Sequence, residues 1–326
     1  MTKVAVLDDW QGVARASADW SALEARADVT FHAQAFDDED HAARALADAD
    51  IVLSMRERTA FPASLIARLP KLRMLGTTSA RTATVDIAAC TKHRIVVCNT
   101  TSGPGLHATA ELALGLLIAA MRHIPAGDAA IRAGRFQDGV PAGGALHGKT
   151  LGLLGLGRIG AIMAGFGHAL GMTVLAWSQN LTAEKAAQHG AALTPKSELL
   201  ARADAVSLHL VLSGRTRGIV GAAELALMKP GAILVNTSRG PLVDEAALLD
   251  ALRAGRIVAG LDVFDREPLP AHHPLRSAPN AVLMPHLGYG VREVWAQFYP
   301  ESVANALAFL DGKPVRVMNP EVLAAK

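Results

Sequence analysis

Short apolar runs, many of them rich in β-branched residues, alternate with stretches of helical periodicity along almost the whole chain. This alternation is typical of α/β proteins with parallel sheets. The first half contains strand-like runs near Val4–Leu7, Val29–His32, Ile51–Ser54, Arg73–Leu75 and Ile95–Cys98. The second half contains them near Thr150–Leu154, Thr173–Trp177, Ala205–Leu210, Ala232–Asn236, Val258–Val263 and Ala281–Met284. The pattern therefore predicts two doubly wound parallel-sheet domains.

The helical stretches between these strands differ in how sharply their ends are marked. Pro62–Pro70 is opened and closed by prolines, and Asp244–Gly255 has acidic residues at its start and a glycine at its end. Both patterns are typical of helix boundaries. Two longer helices are predicted over Leu106–Arg122 and Val291–Leu310, and the glycine-rich segment Gly134–Lys149 is predicted to be a loop.

A glycine motif follows the first strand of the second half. Residues 151–160 read LGLLGLGRIG, which gives Gly155, Gly157 and Gly160 the spacing GxGxxG. Ordinary glycine-rich turns share this spacing, but here a strand precedes it and a helical stretch, Ile159–Leu170, follows it. In that context Gly155 permits the tight turn, Gly157 lets the backbone approach the phosphates, and Gly160 allows close helix packing. We therefore predict a dinucleotide site at the start of this helix.

The residue that usually selects between the two nicotinamide dinucleotides is replaced. The second strand of this half ends in TVLAWSQN, so Ser178 occupies the position at which an Asp or Glu would hold the ribose 2′-hydroxyl. Loss of that carboxylate removes the repulsion of a 2′-phosphate, yet no arginine sits immediately beside Ser178 to bind one. The sequence leaves NAD and NADP open, and Ser178 is either a cofactor contact or only a polar turn residue.

Polar residues follow several strands of the second half at the edge that carries the glycine turn, where open parallel sheets bind ligands. Arg239 lies in NTSRG, Glu267 in LDVFDREP and His286 in MPHLG. A guanidinium grips a carboxylate and a carbonyl oxygen as a planar fork, and a carboxylate orients an imidazole that exchanges protons near neutral pH. These three are the candidate catalytic residues, although Arg239 alternatively bonds nearby carbonyls as a structural arginine. Asp262 is expected to orient the nicotinamide amide or to support the site.

Composition argues against several other classes of protein. The chain has 326 residues, 51% of them hydrophobic, and a net charge of +2, which gives no indication of nucleic acid binding. Cys90 and Cys98 form no CxxC motif and lie near no histidine cluster, so we expect no metal site and a reduced, cytoplasmic protein. The richest apolar stretch, Glu111–Met121, is too short to span a bilayer, and the N-terminus shows no signal-peptide pattern, so no membrane partner is expected.

These motifs together resemble those of the D-isomer-specific 2-hydroxyacid dehydrogenases. GLGRIG, NTSRG, LDVFDREP and PHLG occur in order, and the resemblance covers nearly the whole chain. It implies that Arg239 binds the substrate's carboxylate and carbonyl, and that Glu267 and His286 form the acid–base pair. It also implies a Rossmann-like cofactor domain inserted into a flavodoxin-like substrate domain, with boundaries at 1–101, 102–287 and 288–326. Closure of the two domains would exclude water.

The candidate binding residues follow from the motifs and from this resemblance. For NAD or NADP they are Gly155, Gly157, Arg158, Ile159, Gly160, Ser178, Gln179, His209, Leu210, Thr237, Ser238, Asp262 and Gly288. For the substrate they are Arg239 and the loop residues Ala80, Arg81 and Thr82, where backbone amides would face the substrate carboxylate. This loop departs from the family's glycine-rich, Asp-containing version, and Arg81 either adds a cation or points to solvent. Tyr289, where a small residue is usual, is expected to narrow or reshape the pocket.

The activity implied by the resemblance is hydride transfer between NAD(P)(H) and a small 2-oxo acid or D-2-hydroxy acid, such as glyoxylate, hydroxypyruvate or a 3-phosphoglycerate-like acid. A homodimer joined through Leu106–Arg122 and the loop after it is also implied. The pairing of Glu267 with His286 argues against a formate dehydrogenase, in which the histidine pairs with Gln. The alternative is a nucleotide-sensing corepressor resembling C-terminal binding protein. The sequence disfavours it, because the extended disordered tail usual in such regulators is not expected here.

Overall fold

The structure is a computed structural model that describes residues 1–78, 84–101 and 103–324. Short β-branched and apolar runs form its strands, as the sequence pattern predicts. The strands are β1 (Thr2–Val6), β2 (Ala27–Phe31), β3 (Ile51–Ser54), β4 (Met74–Thr77), β5 (Val96–Asn99), β6 (Thr150–Leu154), β7 (Thr173–Trp177), β8 (Ala192–Leu193), β9 (Ala205–Leu208), β10 (Ala232–Asn236), β11 (Ile257–Leu261) and β12 (Ala281–Leu283).

Helices connect most of these strands, as parallel pairing requires. They are α1 (Ala14–Ser17), α2 (Ser21–Glu24), α3 (Glu39–Leu46), α4 (Ala63–Ile66), α5 (Ile87–Lys92), α6 (Gly105–Arg122), α7 (Ile124–Arg132), α8 (Arg158–Ala169), α9 (Ala183–Ala187), α10 (Lys196–Arg202), α11 (Ala222–Leu227), α12 (Glu245–Arg253), α13 (Arg292–Leu310) and α14 (Glu321–Ala324). Two 3₁₀ turns span Gly240–Leu242 and Pro274–Ser277.

The first compact unit comprises residues 1–104 and 291–326. Its five parallel strands have the order β2-β1-β3-β4-β5, which is the flavodoxin-like order. The returning helix α13 packs against β4, α1 and α2 of the same unit. The sequence thus leaves this unit after β5 and comes back to it at the final long helix.

The second compact unit comprises residues 105–290 and contains the glycine motif. Its sheet has the order β12-β11-β10-β9-β6-β7-β8, with every pair parallel. The chain winds outward from β6 in both directions, which is the dinucleotide-binding arrangement with the order reversing between β6 and β9. The predicted two-domain α/β fold is confirmed, and the unit limits lie within a few residues of the predicted domain boundaries.

Two elements of the second unit were not expected from the sequence. Residues 124–132, for which no element was predicted, form helix α7, with Pro125 in its first turn where a proline is well tolerated. The short edge strand β8 pairs with β7 through only two residues, too few to produce a periodic pattern. The strand predicted over Ala205–Leu210 ends two residues earlier, at Leu208. The prediction was too long because apolar residues continue into the segment that follows β9.

The length of helix α6 differs from what was expected from the sequence. The apolar stretch within it was taken as too short for a bilayer, but the helix has 18 residues and by length and composition alone could cross a membrane. Most of its buried residues, among them Ala113, Leu116 and Leu117, belong to the core cluster that also contains Leu151 and Val235 of the sheet. One face of α6 is therefore packed inside the second unit.

Candidate active site

The glycine turn connects β6 to α8 at the carboxyl edge of the second sheet. Gly155 has a φ of 103°, which favours glycine, and its N–H donates to the carbonyl of Trp177 at 2.8 Å. A Cβ at Gly160 would overlap the Gly155 carbonyl oxygen, whereas a Cβ at Gly157 would meet nothing within 4 Å. The turn is thus tight on its protein side and open at Gly157, as close approach of a pyrophosphate requires.

The start of α8 adds hydrogen-bond donors to this open side. The first intrahelical bond runs from Ala161 N to Gly157 O at 2.8 Å, so the amides of Arg158, Ile159 and Gly160 precede the intrahelical ladder. Arg158 is exposed and Ile159 is half-buried. Successive amides at a helix N-terminus suit an anionic phosphate group, which agrees with the predicted role of this segment.

Ser178 follows β7 and is half-buried, while Gln179 is exposed. The Ser178 carbonyl accepts the amide of Leu181 at 3.1 Å, which closes a short turn. Lys196 lies 5.9 Å from the Trp177 ring, but its ammonium is paired with the Glu224 carboxylate at 2.8 Å. A small hydroxyl therefore stands at the end of β7, where the sequence left the cofactor preference open.

The loops after β9 and β10 present buried polar atoms to the same edge of the sheet. His209 Nε2 lies 2.9 Å from Ser207 Oγ, and burial lowers the pKa of His209 to about 4, so the ring is neutral near pH 7. Within the described residues, His209 Nδ1 and Thr237 Oγ1 are buried without a hydrogen-bond partner. Ser238 Oγ donates to Leu208 O at 2.7 Å, while Leu210 is half-buried. Buried atoms of this kind fit a site that a polar cofactor completes.

Arg239 is held at the end of β10 by the side chain of Asn236. Asn236 Nδ2 donates to Arg239 O at 2.9 Å, and Asn236 Oδ1 accepts the amide of Ser238 at 3.0 Å. The half-buried Arg239 donates from Nη1 to Ser238 O at 2.7 Å, a contact of the kind that the structural alternative predicts. A Cβ at Gly240 would overlap the backbone of Phe264, so the Arg239 segment is pressed against the segment that carries Glu267.

Glu267 and His286 are in direct contact. Their Oε2 and Nδ1 atoms are 2.5 Å apart, and both side chains are largely shielded, with exposed fractions of 26% and 19%. Glu267 Oε1 also accepts the amide of Phe264 at 2.8 Å, which fixes the carboxylate from its other oxygen. The geometry gives the imidazole a carboxylate at Nδ1 and directs Nε2 away from it, as an acid–base group requires.

Asp262 supports the segment that follows the histidine. It is fully buried, and its two oxygens accept the amides of Leu287 and Gly288, each at 2.8 Å. Burial raises the pKa of Asp262, which these two amides and His286 oppose. Of the two roles expected from the sequence, the contacts agree with the supporting one. They also explain Gly288, whose Cβ would lie 3.1 Å from an Asp262 oxygen.

Tyr289 packs beside the same imidazole. Its ring lies edge-to-face with that of His286, with centroids 6.1 Å apart and planes at 84°. Only 5% of Tyr289 is exposed. The large side chain at this position therefore bounds the space around the imidazole, in keeping with the expectation that it reshapes the pocket.

Ala80, Arg81 and Thr82, the predicted substrate-binding residues of the first unit, lie outside the described residues. The described part of the first unit contains a polar group that sequence analysis missed, at the carboxyl edge of its sheet. Asp8 follows β1 with a φ of 60°, and its Oδ1 accepts the hydroxyl of Thr59 at 3.1 Å. Its carbonyl accepts Arg58 Nη1 at 2.8 Å. Asp8 directly follows β1, so a search for polar residues at strand ends in the first half of the sequence would have found it.

The fold and the paired imidazole and carboxylate define an oxidoreductase that uses a nicotinamide dinucleotide. Residues 114–288 match the family described as D-isomer specific 2-hydroxyacid dehydrogenase, NAD binding domain, and the chain belongs to this family. It therefore has an NAD-binding domain and the architecture of an NAD-dependent D-2-hydroxyacid dehydrogenase.

Individual relatives show how far the similarity extends. The chain is 39% identical to a glyoxylate reductase from Aeropyrum pernix over 273 residues, 80% of this chain and 81% of that one. It is 40% identical to a D-3-phosphoglycerate dehydrogenase from Mycobacterium tuberculosis over 83% of this chain but only 52% of that longer protein. The crystal structure of a phosphoglycerate oxidoreductase from Vibrio cholerae has a TM-score of 0.89 at 36% identity, covering 96% of this chain and all of that one.

Proposed function

We propose that the protein reduces a small 2-oxo acid to the D-2-hydroxy acid and catalyses the reverse oxidation. The observation that carries this proposal is the 2.5 Å contact between Glu267 and His286 at the sheet edge that also bears the glycine turn. The substrate class is a short 2-oxo acid such as glyoxylate, hydroxypyruvate or a 3-phosphoglycerate-like acid. The similarity to a glyoxylate reductase and to D-3-phosphoglycerate dehydrogenases supports this range.

The cofactor site suits a nicotinamide dinucleotide because an open glycine turn, a helix N-terminus and buried polar atoms lie at one sheet edge. Gly155, Gly157 and the first residues of α8 would hold the phosphates. Ser178 would meet the adenine ribose, so we propose that NADPH is accepted as well as NADH. When bound, the nicotinamide supplies the hydride for reduction or accepts it in oxidation.

The protein's own groups handle the proton and the developing charge. Because Glu267 occupies Nδ1 of His286, the proton passes between Nε2 and the substrate oxygen. The carboxylate stabilises the imidazolium before the proton is given up, and it keeps the ring oriented. Arg239, fixed at the end of β10 by Asn236, binds the substrate carboxylate and stabilises negative charge on the reacting oxygen.

The direct test follows NADH and NADPH absorbance with glyoxylate, hydroxypyruvate and phosphohydroxypyruvate, and determines by chiral chromatography the configuration of the products of the last two acids, since glycolate is achiral. We expect turnover of at least one acid, the D configuration in any chiral product, and loss of turnover in His286→Ala. Binding of the nucleotide without turnover of any 2-oxo acid would contradict the proposal and favour a nucleotide-sensing regulator.

We also propose a homodimer formed through α6 and α7. Three apolar side chains on α7 and just after it are unusually exposed: Ile124 at 52%, Ile131 at 56% and Phe136 at 72%. Burial of these apolar side chains is favourable, and monomeric proteins rarely expose large apolar patches. Light scattering on the parent and on Ile131→Asp tests this, with Leu193→Asp on the edge strand β8 as the matched control, because Leu193 is also exposed.

The cytoplasm remains our proposed location. Cys90 and Cys98 are free and buried, and burial raises their pKa values to about 12 and about 11. Such thiols stay protonated and unreactive, which suits a reducing compartment. Fractionation of cells that express the tagged protein tests this location, and recovery in a membrane or secreted fraction would contradict it.

A further inference from the structure

A long segment between β11 and β12 carries Glu267. We call residues 262–280 the β11–β12 loop; apart from the 3₁₀ turn Pro274–Ser277, it has no helix or strand. The carboxylate that orients His286 therefore lies on irregular backbone. A catalytic hydrogen bond is only as well positioned as the segment that carries its partner.

A second imidazole–carboxylate pair ties this loop to helix α12. His273 Nε2 lies 3.0 Å from Glu245 Oε1, with exposed fractions of 16% and 25%. His273 Nδ1 accepts the amide of Leu275 at 3.3 Å, so the ring proton resides on Nε2 and donates to Glu245. The pair joins the first residue of α12 to the loop.

Arg276 extends this connection toward Glu267. From the 3₁₀ turn its Nε donates to Pro270 O at 2.8 Å, and its Nη2 donates to Leu269 O at 2.6 Å. These carbonyls follow Glu267 closely in the chain. Leu275, between His273 and Arg276, is 1% exposed and belongs to the core of the second unit. The 3₁₀ turn is therefore anchored in the core by Leu275, and Arg276 bonds it to the segment that follows the catalytic carboxylate.

The charges around His273 show what its loss would do. Burial raises the pKa of Asp265, and Glu245 and Asp244 raise it further, whereas Arg217 lowers it. Asp265 thus interacts unfavourably with two carboxylates at the start of α12. Without His273, Glu245 would lose its hydrogen bond to the loop. Its carboxylate would then repel Asp265 without that attraction to offset it, which favours separation of the loop from the helix.

We propose that Glu245, His273 and Arg276 form a brace that positions Glu267 against His286. None of the three needs to touch the substrate, so they are positioning residues for the reaction proposed above, on which this inference rests. Hydrogen bonds join the start of α12 to His273, and join Arg276, three residues further along the chain, to the carbonyls two and three residues after Glu267. A small misplacement of a catalytic group reduces the rate by up to about 100-fold.

The test uses His273→Ala, Arg276→Ala and the conservative Glu245→Gln, with Arg253→Ala as the matched control. Arg253 lies at the end of α12, opposite to the end that carries Glu245, and forms an exposed pair with Asp250 at 3.2 Å. We expect the two alanine variants to lower kcat about 10- to 100-fold with little change in the KM for the cofactor. Glu245→Gln keeps an oxygen acceptor for His273 and should retain most of the rate, and Arg253→Ala should match the parent.

A spectroscopic readout separates the brace from the proposed function. The Nδ1–H of His286, in a short bond to Glu267, should give a low-field proton resonance, identified by its loss in His286→Gln. We expect this resonance to shift or broaden in His273→Ala and Arg276→Ala but not in Arg253→Ala. It is recorded without substrate, so it tests the brace even if the parent turns over no 2-oxo acid.

Two further outcomes decide the proposal. If His273 and Arg276 act through the same brace, the double variant His273→Ala/Arg276→Ala should have a kcat no lower than that of the slower single variant, because the effects of coupled residues are not additive. The brace is overturned if either alanine variant keeps both kcat and the resonance and only melts at a lower temperature. Arg276 is exposed, so its alanine variant remains a valid test even if His273→Ala does not fold.

Discussion

The carboxylate of Glu267 holds His286 at Nδ1 across 2.5 Å, and the segment after the histidine is fixed separately by Asp262. Two carboxylates thus have two tasks at one sheet edge. One orients the ring, and the other anchors the backbone that carries it. The first prediction follows from this division.

His286→Ala should abolish turnover while the cofactor still binds. General acid–base groups contribute about 10²- to 10⁴-fold, and the glycine turn that would hold the cofactor does not include His286. Steady-state kinetics and NADH titration by fluorescence measure the two effects. A variant that retains most of its kcat would show that another group transfers the proton.

Arg239→Lys should be a severe lesion. Lysine keeps the charge but loses the planar fork that can hold a carboxylate and a carbonyl oxygen together. We expect KM for the 2-oxo acid to rise and kcat to fall, because the same group would bind the ground state and the developing oxyanion. If kcat/KM is unchanged in the lysine variant, Arg239 serves only as the structural residue suggested by its bond to Ser238.

The cofactor prediction concerns Ser178 at the end of β7. We expect NADPH to be used within about tenfold of NADH, a window of roughly 1.4 kcal/mol. Ser178→Asp should shift preference toward NADH, by accepting the ribose 2′-hydroxyl and repelling the 2′-phosphate. The measurement is kcat/KM with both cofactors at one fixed ionic strength, since salt screens phosphate recognition. Strong NADH selectivity in the parent would place the discrimination at another residue.

Tyr289 should matter for both the histidine and the pocket. Tyr289→Phe keeps the edge-to-face ring pair and should leave kcat near that of the parent. Tyr289→Ala removes a pair contribution of about 0.5–1.5 kcal/mol and opens space, so kcat with glyoxylate should fall while bulkier 2-oxo acids gain relative kcat/KM. The ratio of kcat/KM for phenylpyruvate and glyoxylate measures this, and an unchanged ratio would show that Tyr289 does not face the substrate.

Asp8 offers a prediction about stability and pH. Burial raises its pKa to about 6 from 3.8. Because the folded-state value lies above the unfolded one, the stability that protonated Asp8 contributes is complete below pH 3.8 and is lost as the pH rises through about 6. At pH 8 the ionised group therefore costs the folded state roughly 3 kcal/mol. Asp8→Asn, which keeps an acceptor for Thr59, should remove most of that cost.

Urea unfolding from pH 4 to pH 8 checks this prediction. The advantage of Asp8→Asn should grow with pH and be smallest near pH 4. Asp28→Asn, on the exposed part of β2, controls for the loss of a surface carboxylate. An equal advantage at both pH values, or none at pH 8, would contradict the assigned cause.

The sequence by itself determined the architecture and the order of the chemistry. Strand runs with period and length typical of parallel sheets predicted both sheets, and the strand-end rule selected Arg239, Glu267 and His286 because parallel strands end at one edge. The GxGxxG spacing predicted the turn, since the φ of Gly155 and the crowding at Gly160 are local consequences of the backbone.

Tertiary structure alone decided which oxygen meets which nitrogen. Nothing local to Asp262 shows that it bonds the amides after His286, and nothing local to Glu245 pairs it with His273, because these partners are brought together by the winding of separate strands. Helix α7 and strand β8 were missed for a related reason: packing and one edge pairing stabilise them, while their own patterns are too short to do so. The sequence names the groups at the sheet edge, and the long-range contacts assign their partners.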